Sequence, residues 1–295
     1  MESGNIKLFK VVLFFQIVLI IFLIFFLSIY LNRYFEFKDK LVKFDNKMKD
    51  KDIKYNLDDL DKEIDFYTNI ETNLERLYDD YSSNIALLEK NIQENKTDVK
   101  IAYLTFDDGP YSLTERYLDI LKQNDVRATF FVLGKKGFDD TYKRIVNEGH
   151  TLANHTYYHN ISSGLYGSVE NFMTQVVDLE KYLVDITGYK TSIVRFPGGS
   201  STAGRLKNQL IDSLHNKGYK YVDWTCETGD GSSAKLAQKG TYQWFIDTLQ
   251  DQKIMILLMH DYNYSTYNDL PKIIDYLKKN NYLLLPLHNK SVMLK

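Results

Sequence analysis

Apolar and polar positions follow three regimes along the chain. Residues 11–31, VVLFFQIVLIIFLIFFLSIYL, are apolar apart from Gln16, Ser28 and Tyr30. That length suits the ~20 residues needed to cross a ~30 Å hydrocarbon core, so a transmembrane helix is predicted. The first alanine of the chain is Ala86, which leaves no small-residue cleavage site behind the run. The segment is therefore expected to stay as an anchor rather than to be removed as a signal peptide.

Between residues 34 and 98 there is neither glycine nor proline. Leu57, Leu60, Ile64, Tyr67, Leu74, Leu77, Tyr81, Ile85, Leu88 and Ile92 recur mostly at steps of three and four among charged neighbours, which predicts a long amphipathic helix. Two arrangements bury such a stripe: folding back onto the following domain, or pairing as a coiled-coil stalk that makes a homodimer. The five-residue step from Met48 to Ile53 spoils a strict heptad. Glycine and proline return beyond residues 95–100, marking a domain boundary. The expected organisation is a tail over 1–10, the membrane helix over 11–31, a helical stalk over 32–98 and a globular domain over 99–295.

In the third regime, short apolar runs alternate with amphipathic stretches. Strands are predicted at 101–106, 128–133, 151–154, 193–196, 219–225, 254–259 and 282–286, with helices between them. Ser112 and Glu115 read as a capping box, and a helix over 169–187 is closed by Gly188. Seven β/α steps in so short a span make an α/β fold, either a small incomplete seven-stranded (β/α) barrel or a doubly wound open sheet.

Composition narrows the function. A net charge of -2 excludes an ordinary basic nucleic-acid binder. Cys226 is the single cysteine, so neither a disulfide framework nor a thiolate metal site can form within one chain; it reads as a small buried residue in a strand.

The polar residues that break the apolar runs fall at strand ends: Asp107 and Asp108 after the first, His155 and His159 after the third, Arg195 at the fourth, Asp230 after the fifth and His260 at the sixth. In a barrel of parallel strands, carboxyl ends converge on one face, where active sites are built. Two histidines four residues apart can turn toward one centre, and with a carboxylate they make a metal site with open positions. Two adjacent aspartates repel unless a cation offsets them. One would ligate the ion, while the other stays free to take a proton from water that the ion acidifies. Each feature alone is more often a turn, a cap or a core histidine; their coincidence at neighbouring strand ends carries the reading.

The motifs TFDDGP, HTYYH, RFPGG, VDWTCETGD and LLMH, in this order between Thr105 and His260, resemble the five signature motifs of the polysaccharide deacetylases, carbohydrate esterase family 4. The resemblance covers the globular part and implies a distorted seven-stranded (β/α) barrel. It further implies that Asp108, His155 and His159 bind a divalent metal, zinc foremost with cobalt as an alternative. Asp107 becomes the general base, oriented by Arg195, and His260 the general acid, paired with Asp230. Tyr111, through its backbone N–H, and Pro197, Trp224 and Leu258 would face the substrate, and Tyr157 and Tyr158 could stack on sugar rings. One departure is Gly231, where relatives carry a tryptophan beside the acetyl pocket.

The resulting expectation is a membrane-anchored, metal-dependent N-deacetylase of peptidoglycan N-acetylglucosamine, with glycan and membrane as partners and no nucleic acid. Alternatives are another acetylated glycan (chitin oligomers, an exopolysaccharide, muramic acid or xylan) or a non-catalytic glycan-binding scaffold. Lys7 and Lys10 on one flank of the anchor and Arg33, Lys38, Lys40 and Lys43 on the other do not decide its orientation. The location of wall glycan does: it places 1–10 in the cytoplasm and 32–295 outside a single-pass cell-membrane anchor.

Overall fold

The computed structural model describes residues 74–295, which lie within one compact unit, Glu71–Lys295. The apolar run 11–31 and most of the expected stalk fall outside the described residues. Among the described residues, no helix is long and apolar enough to cross a membrane.

Among the described residues, eight strands form one sheet: β1 (Lys100–Asp107), β2 (Thr129–Val132), β3 (Thr151–Asn154), β4 (Ile193–Val194), β5 (Lys220–Tyr221), β6 (Cys226–Glu227), β7 (Ile254–His260) and β8 (Tyr282–Leu285). Their order is β5-β4-β3-β2-β1-β7-β6, and β8 pairs β1. Every pairing is parallel. Along β1, residues Lys100–Tyr103 meet β8 and Thr105–Asp107 meet β2, while β7 lies along Ile101–Asp107. Because β7 takes one edge of β1, β2 and β8 share the other.

Of the run expected as one strand over 219–225, only Lys220–Tyr221 is strand, as β5; β6 follows it at Cys226–Glu227, at the opposite end of the sheet order. Between them the chain carries Asp223 and Trp224, which turn to Ser200 and Arg195, and no ladder joins β5 to β6. Lys295 exchanges two backbone hydrogen bonds with Tyr221, each 2.9 Å.

The helices in chain order are α1 (Leu74–Gln93), α2 (Thr114–Gln123), α3 (Asp139–Asn147), α4 (Val169–Thr187), α5 (Lys207–Asn216), α6 (Ser233–Lys239), α7 (Thr241–Leu249) and α8 (Tyr264–Lys279). α4 ends where expected, at a left-handed Gly188. The expected capping box at Ser112 does not form: α2 starts at Thr114 behind Leu113, with no side-chain cap. Glu115 is drawn instead to Arg144 and Thr141 on α3, a charged partner that a backbone N–H cannot match.

Both faces of β1 are buried, so its sequence is nearly continuous in apolar residues and only the two-residue period separates inside from outside. Ala102, Leu104 and Phe106 pack against the helices. Ile101 and Tyr103 point into the barrel beside Phe131, Ala153, Ile193, Val222, Ile256 and Leu285. Ile85 and Ile92 of α1 complete this inner cluster. Between them Glu89, fully buried, accepts hydrogen bonds from Ser291 Oγ and Val292 N–H at 2.6 Å each and from the Tyr103 hydroxyl. The end of α1 is thus folded back into the barrel, and packing continues across the boundary expected at 95–100. Coiled-coil pairing farther up the stalk lies outside the described residues.

Candidate active site

The inward face of β1 reads Ile101, Tyr103, Thr105, Asp107: apolar at the base, polar at the carboxyl rim. The same two-residue step carries β3 from Ala153 to His155, β4 from Ile193 to Arg195 and β7 from Ile256 to His260. Asp107 sits in register with His260 on one side and Phe131 on the other. Strict alternation would turn Asp108 away. It enters the left-handed region, φ 72°, a conformation that aspartate tolerates better than most residues, and its carboxylate swings back over the rim.

Asp107 is buried against a fully buried Arg195, whose Nη1 donates to Asp107 Oδ1 at 2.8 Å and to Thr105 Oγ1 at 2.7 Å. The same guanidinium donates to the carbonyls of Val222 and Asp223 and lies 4.0 Å from the Phe131 ring centroid. With so many fixed partners it cannot follow a moving carboxylate, so it sets where Asp107 points. Burial raises the Asp107 carboxyl, and Arg195 opposes that rise. Arg195 itself is lowered by burial, against the pull of Asp107.

His155 Nδ1 lies 2.8 Å from the carbonyl of Arg195. A carbonyl can only accept, so Nδ1 carries the proton and Nε2 keeps a free lone pair. Burial drives this imidazole down to about 3, which holds it neutral, the state a ligand needs. His159 reaches the same place by a tight loop with positive φ at Thr156 and at His159 itself. The Nε2 atoms of both histidines lie 3.5 Å from Asp108 Oδ1, and that oxygen is buried without a hydrogen-bond partner among the described residues. One carboxylate oxygen and two imidazole nitrogens, all within 4.8 Å of one another, form an Asp–His–His set. An orphaned buried oxygen between two imidazoles is costly unless a cation joins them, so these residues fit a divalent metal.

His260 stands across the rim, its Nε2 3.9 Å from Asp108 Oδ2. Asp230 holds it twice, accepting from Nδ1 at 2.7 Å and from the backbone N–H at 2.8 Å. Thr266 Oγ1 donates to the same aspartate at 2.6 Å. Burial pulls the imidazole down, but the Asp230 hydrogen bond and charge outweigh it, helped by Asp107 and Asp108. The outcome is a value of about 9, so His260 is protonated at neutral pH.

The expected substrate contacts fare unevenly. Pro197 is buried, and its carbonyl accepts from the Tyr166 hydroxyl. Leu258 is buried in β7, and Trp224 is half-buried, 5.9 Å from the Arg195 guanidinium. The Tyr111 N–H, expected to face an oxyanion, donates to Thr114 Oγ1 at 2.7 Å. Tyr157 packs against Tyr182 and Gly134, whereas Tyr158 is exposed beside it. Cys226 is buried in β6 and its thiol is pushed up to about 12, inert as the sequence suggested.

Sequence reasoning missed three groups. Asp261 is buried under Gly109, where a Cβ would collide with it; its Oδ2 accepts from Thr114 Oγ1 at 2.6 Å, and burial carries it to about 7. Lys135 donates to the Asp108 carbonyl at 2.7 Å and lies over the Tyr111 ring at 3.1 Å, so it braces the loop that bends Asp108. Tyr262 faces His260. An aspartate after a histidine, a loop lysine and one tyrosine among 23 carry no distinctive linear signal.

A buried Arg-clamped aspartate, an Asp-paired histidine and an Asp–His–His cluster on the carboxyl rim of a parallel barrel are the arrangement of a barrel hydrolase. Comparison with known proteins agrees. A family model for polysaccharide deacetylase matches residues 94–222. YheN of Bacillus subtilis is 36% identical over 203 residues, covering 66% of this chain and 70% of YheN. The peptidoglycan-N-acetylglucosamine deacetylase of Bacillus cereus is 31% identical over 208 residues, covering 67% and 72%. Among solved structures, the catalytic domain of a peptidoglycan N-acetylglucosamine deacetylase from Eubacterium rectale superposes with a TM-score of 0.60 at 29% identity, over 68% of this chain and 96% of that one. The chain belongs to the polysaccharide deacetylase family, carbohydrate esterase family 4, whose members are hydrolases.

Proposed function

We propose that this protein is a zinc-dependent N-deacetylase of peptidoglycan N-acetylglucosamine, tethered to the cell membrane by residues 11–31 with its catalytic unit outside. The observation that carries the chemistry is the Asp108 carboxylate, one oxygen orphaned between two imidazole nitrogens and the other facing His260 at 3.9 Å. The substrate is supported by the similarity to enzymes that bear that name.

Asp108, His155 and His159 would hold the metal, which when bound supplies Lewis-acid polarisation of the carbonyl and acidifies water. Asp107, clamped at Oδ1 by Arg195, keeps Oδ2 to take the proton of the attacking water. The water oxygen bonds to the acyl carbon, the carbon–nitrogen bond breaks, and the electron pair leaves with the amine. His260 gives that amine its proton from Nε2, since Nδ1 is committed to Asp230. Asp230 keeps the imidazolium oriented and charged until then. Acetate and a free amino sugar result.

The test uses the full chain in detergent with added zinc, on peptidoglycan and on chitooligosaccharides, measuring released acetate and new free amine. Faster release from peptidoglycan is expected. Preference for chitooligosaccharides would move the substrate toward that of the Colletotrichum lindemuthianum chitin deacetylase, 34% identical over 193 residues. No release from either would refute the reading.

A further inference from the structure

The space around His260 is asymmetric. On one side lies Gly231, the residue after Asp230. A Cβ built there would stand 2.7 Å from His260 Cε1 and within 3.4 Å of both ring nitrogens, so the imidazole rests on the glycine backbone and no side chain fits beneath it. On another side the ring faces Tyr262, with centroids 5.3 Å apart at 47°. Tyr262 is itself held edge-on by Tyr111, at 5.3 Å and 70°, and the cation of Lys135 lies over the Tyr111 ring. Tyr262 is half-buried, set in a braced aromatic pair rather than loose on the surface.

Nδ1 of His260 is engaged by Asp230, so the departing amine must meet Nε2. The acyl carbon is one bond from that amine and the first carbon of the acyl chain two, so whatever flanks Nε2 also flanks the acyl chain. Gly231 offers no side chain there, and beside Leu258, two residues back on β7, it is the aromatic ring of Tyr262 that stands against the imidazole. We infer that Tyr262 is the specificity-determining wall of the acyl pocket, the side chain that limits how long an acyl group can be brought to His260. This rests on the proposed role of His260 as proton donor to the amine.

The experiment compares the full chain with its Tyr262→Phe, Tyr262→Leu and Tyr262→Ala variants, loaded with zinc, on N-acetyl, N-propionyl and N-butyryl glucosamine oligomers. A pocket that loses its wall should relax by about tenfold in kcat/KM per added methylene. The propionyl-to-acetyl and butyryl-to-acetyl ratios should therefore rise in Tyr262→Ala, rise less in Tyr262→Leu and stay put in Tyr262→Phe. In parallel, calorimetry with acetohydroxamate and butyrohydroxamate reads the same wall without turnover, and the affinity ratio should shift toward the longer ligand in Tyr262→Ala. Unchanged ratios in a folded Tyr262→Ala would overturn the inference. Should the parent chain hydrolyse none of the substrates, the proposed function fails by itself, and the hydroxamate ratios still decide whether Tyr262 is the wall.

Discussion

Asp107 and Asp108 are covalent neighbours with different surroundings: one is clamped by Arg195, the other leaves an oxygen between two histidines. Asp107→Asn keeps the side-chain volume and removes the base, so activity should fall by about 10²- to 10⁴-fold while zinc content stays near that of the parent. Asp108→Asn should instead weaken zinc binding, and atomic absorption after dialysis separates the two. Exchanged phenotypes would reverse the roles. His260 gives the pH dependence. Its folded value of about 9 lies above its ordinary 6.5, so the stability it contributes is complete below 6.5 and is lost as pH rises through 9. The alkaline limb of kcat should follow the same loss of the proton. In Asp230→Asn the limb should move down toward 6.5, and a limb that stays near 9 would separate the imidazolium from Asp230.

At the scale of elements, α1 behaves as part of the barrel. Ile85 and Ile92 close the inner cluster at its base, and Glu89 ties the helix to the segment Ser291–Val292. Truncating either isoleucine to alanine should cost about 2–5 kcal/mol, as for buried aliphatics elsewhere. Urea unfolding of the full chain should detect that loss, whereas Leu87→Ala, exposed on the same helix, should leave the midpoint within error. Equal effects at the two kinds of position would mean that α1 is not docked in solution. A chain begun at residue 95 would lack this plug, which makes it a poor choice for biochemistry. The helix was legible in the sequence from its three- and four-residue spacing, but its partner was not. An apolar stripe states that burial is needed, not whether a second copy or the same chain supplies it.

For the whole molecule, the proposed anchor and the proposed metal each give a separate test. Chelator treatment should abolish activity, and zinc or cobalt should restore it; full activity in metal-free protein would sink the metal assignment. Protease added to wall-stripped cells should digest the catalytic unit and leave a small membrane-held fragment, because large domains translocate largely regardless of flanking charge. A protected catalytic unit would invert the topology.

By itself, the sequence determined which residues are near a strand end and of which chemical type they are, because strand period, helix spacing and the glycine and proline pattern are local properties of the chain. β1, β2, β3, β7 and β8, the end of α4 at Gly188, and the gathering of Asp107, Asp108, His155, His159, Arg195, Asp230 and His260 were all readable that way. Tertiary structure alone decided the rest. The two-residue β5 and β6 have too few ladder bonds to imprint a pattern, so the expected run 219–225 kept only Lys220–Tyr221 as strand and β6 fell just beyond it. The left-handed turn at Asp108, the burial of Asp261 under Gly109 and against Thr114, and the seating of His260 on Gly231 depend on segments up to some 150 residues apart in the chain. Linear spacing holds no record of such approaches; they follow from how the packed barrel fills its own volume.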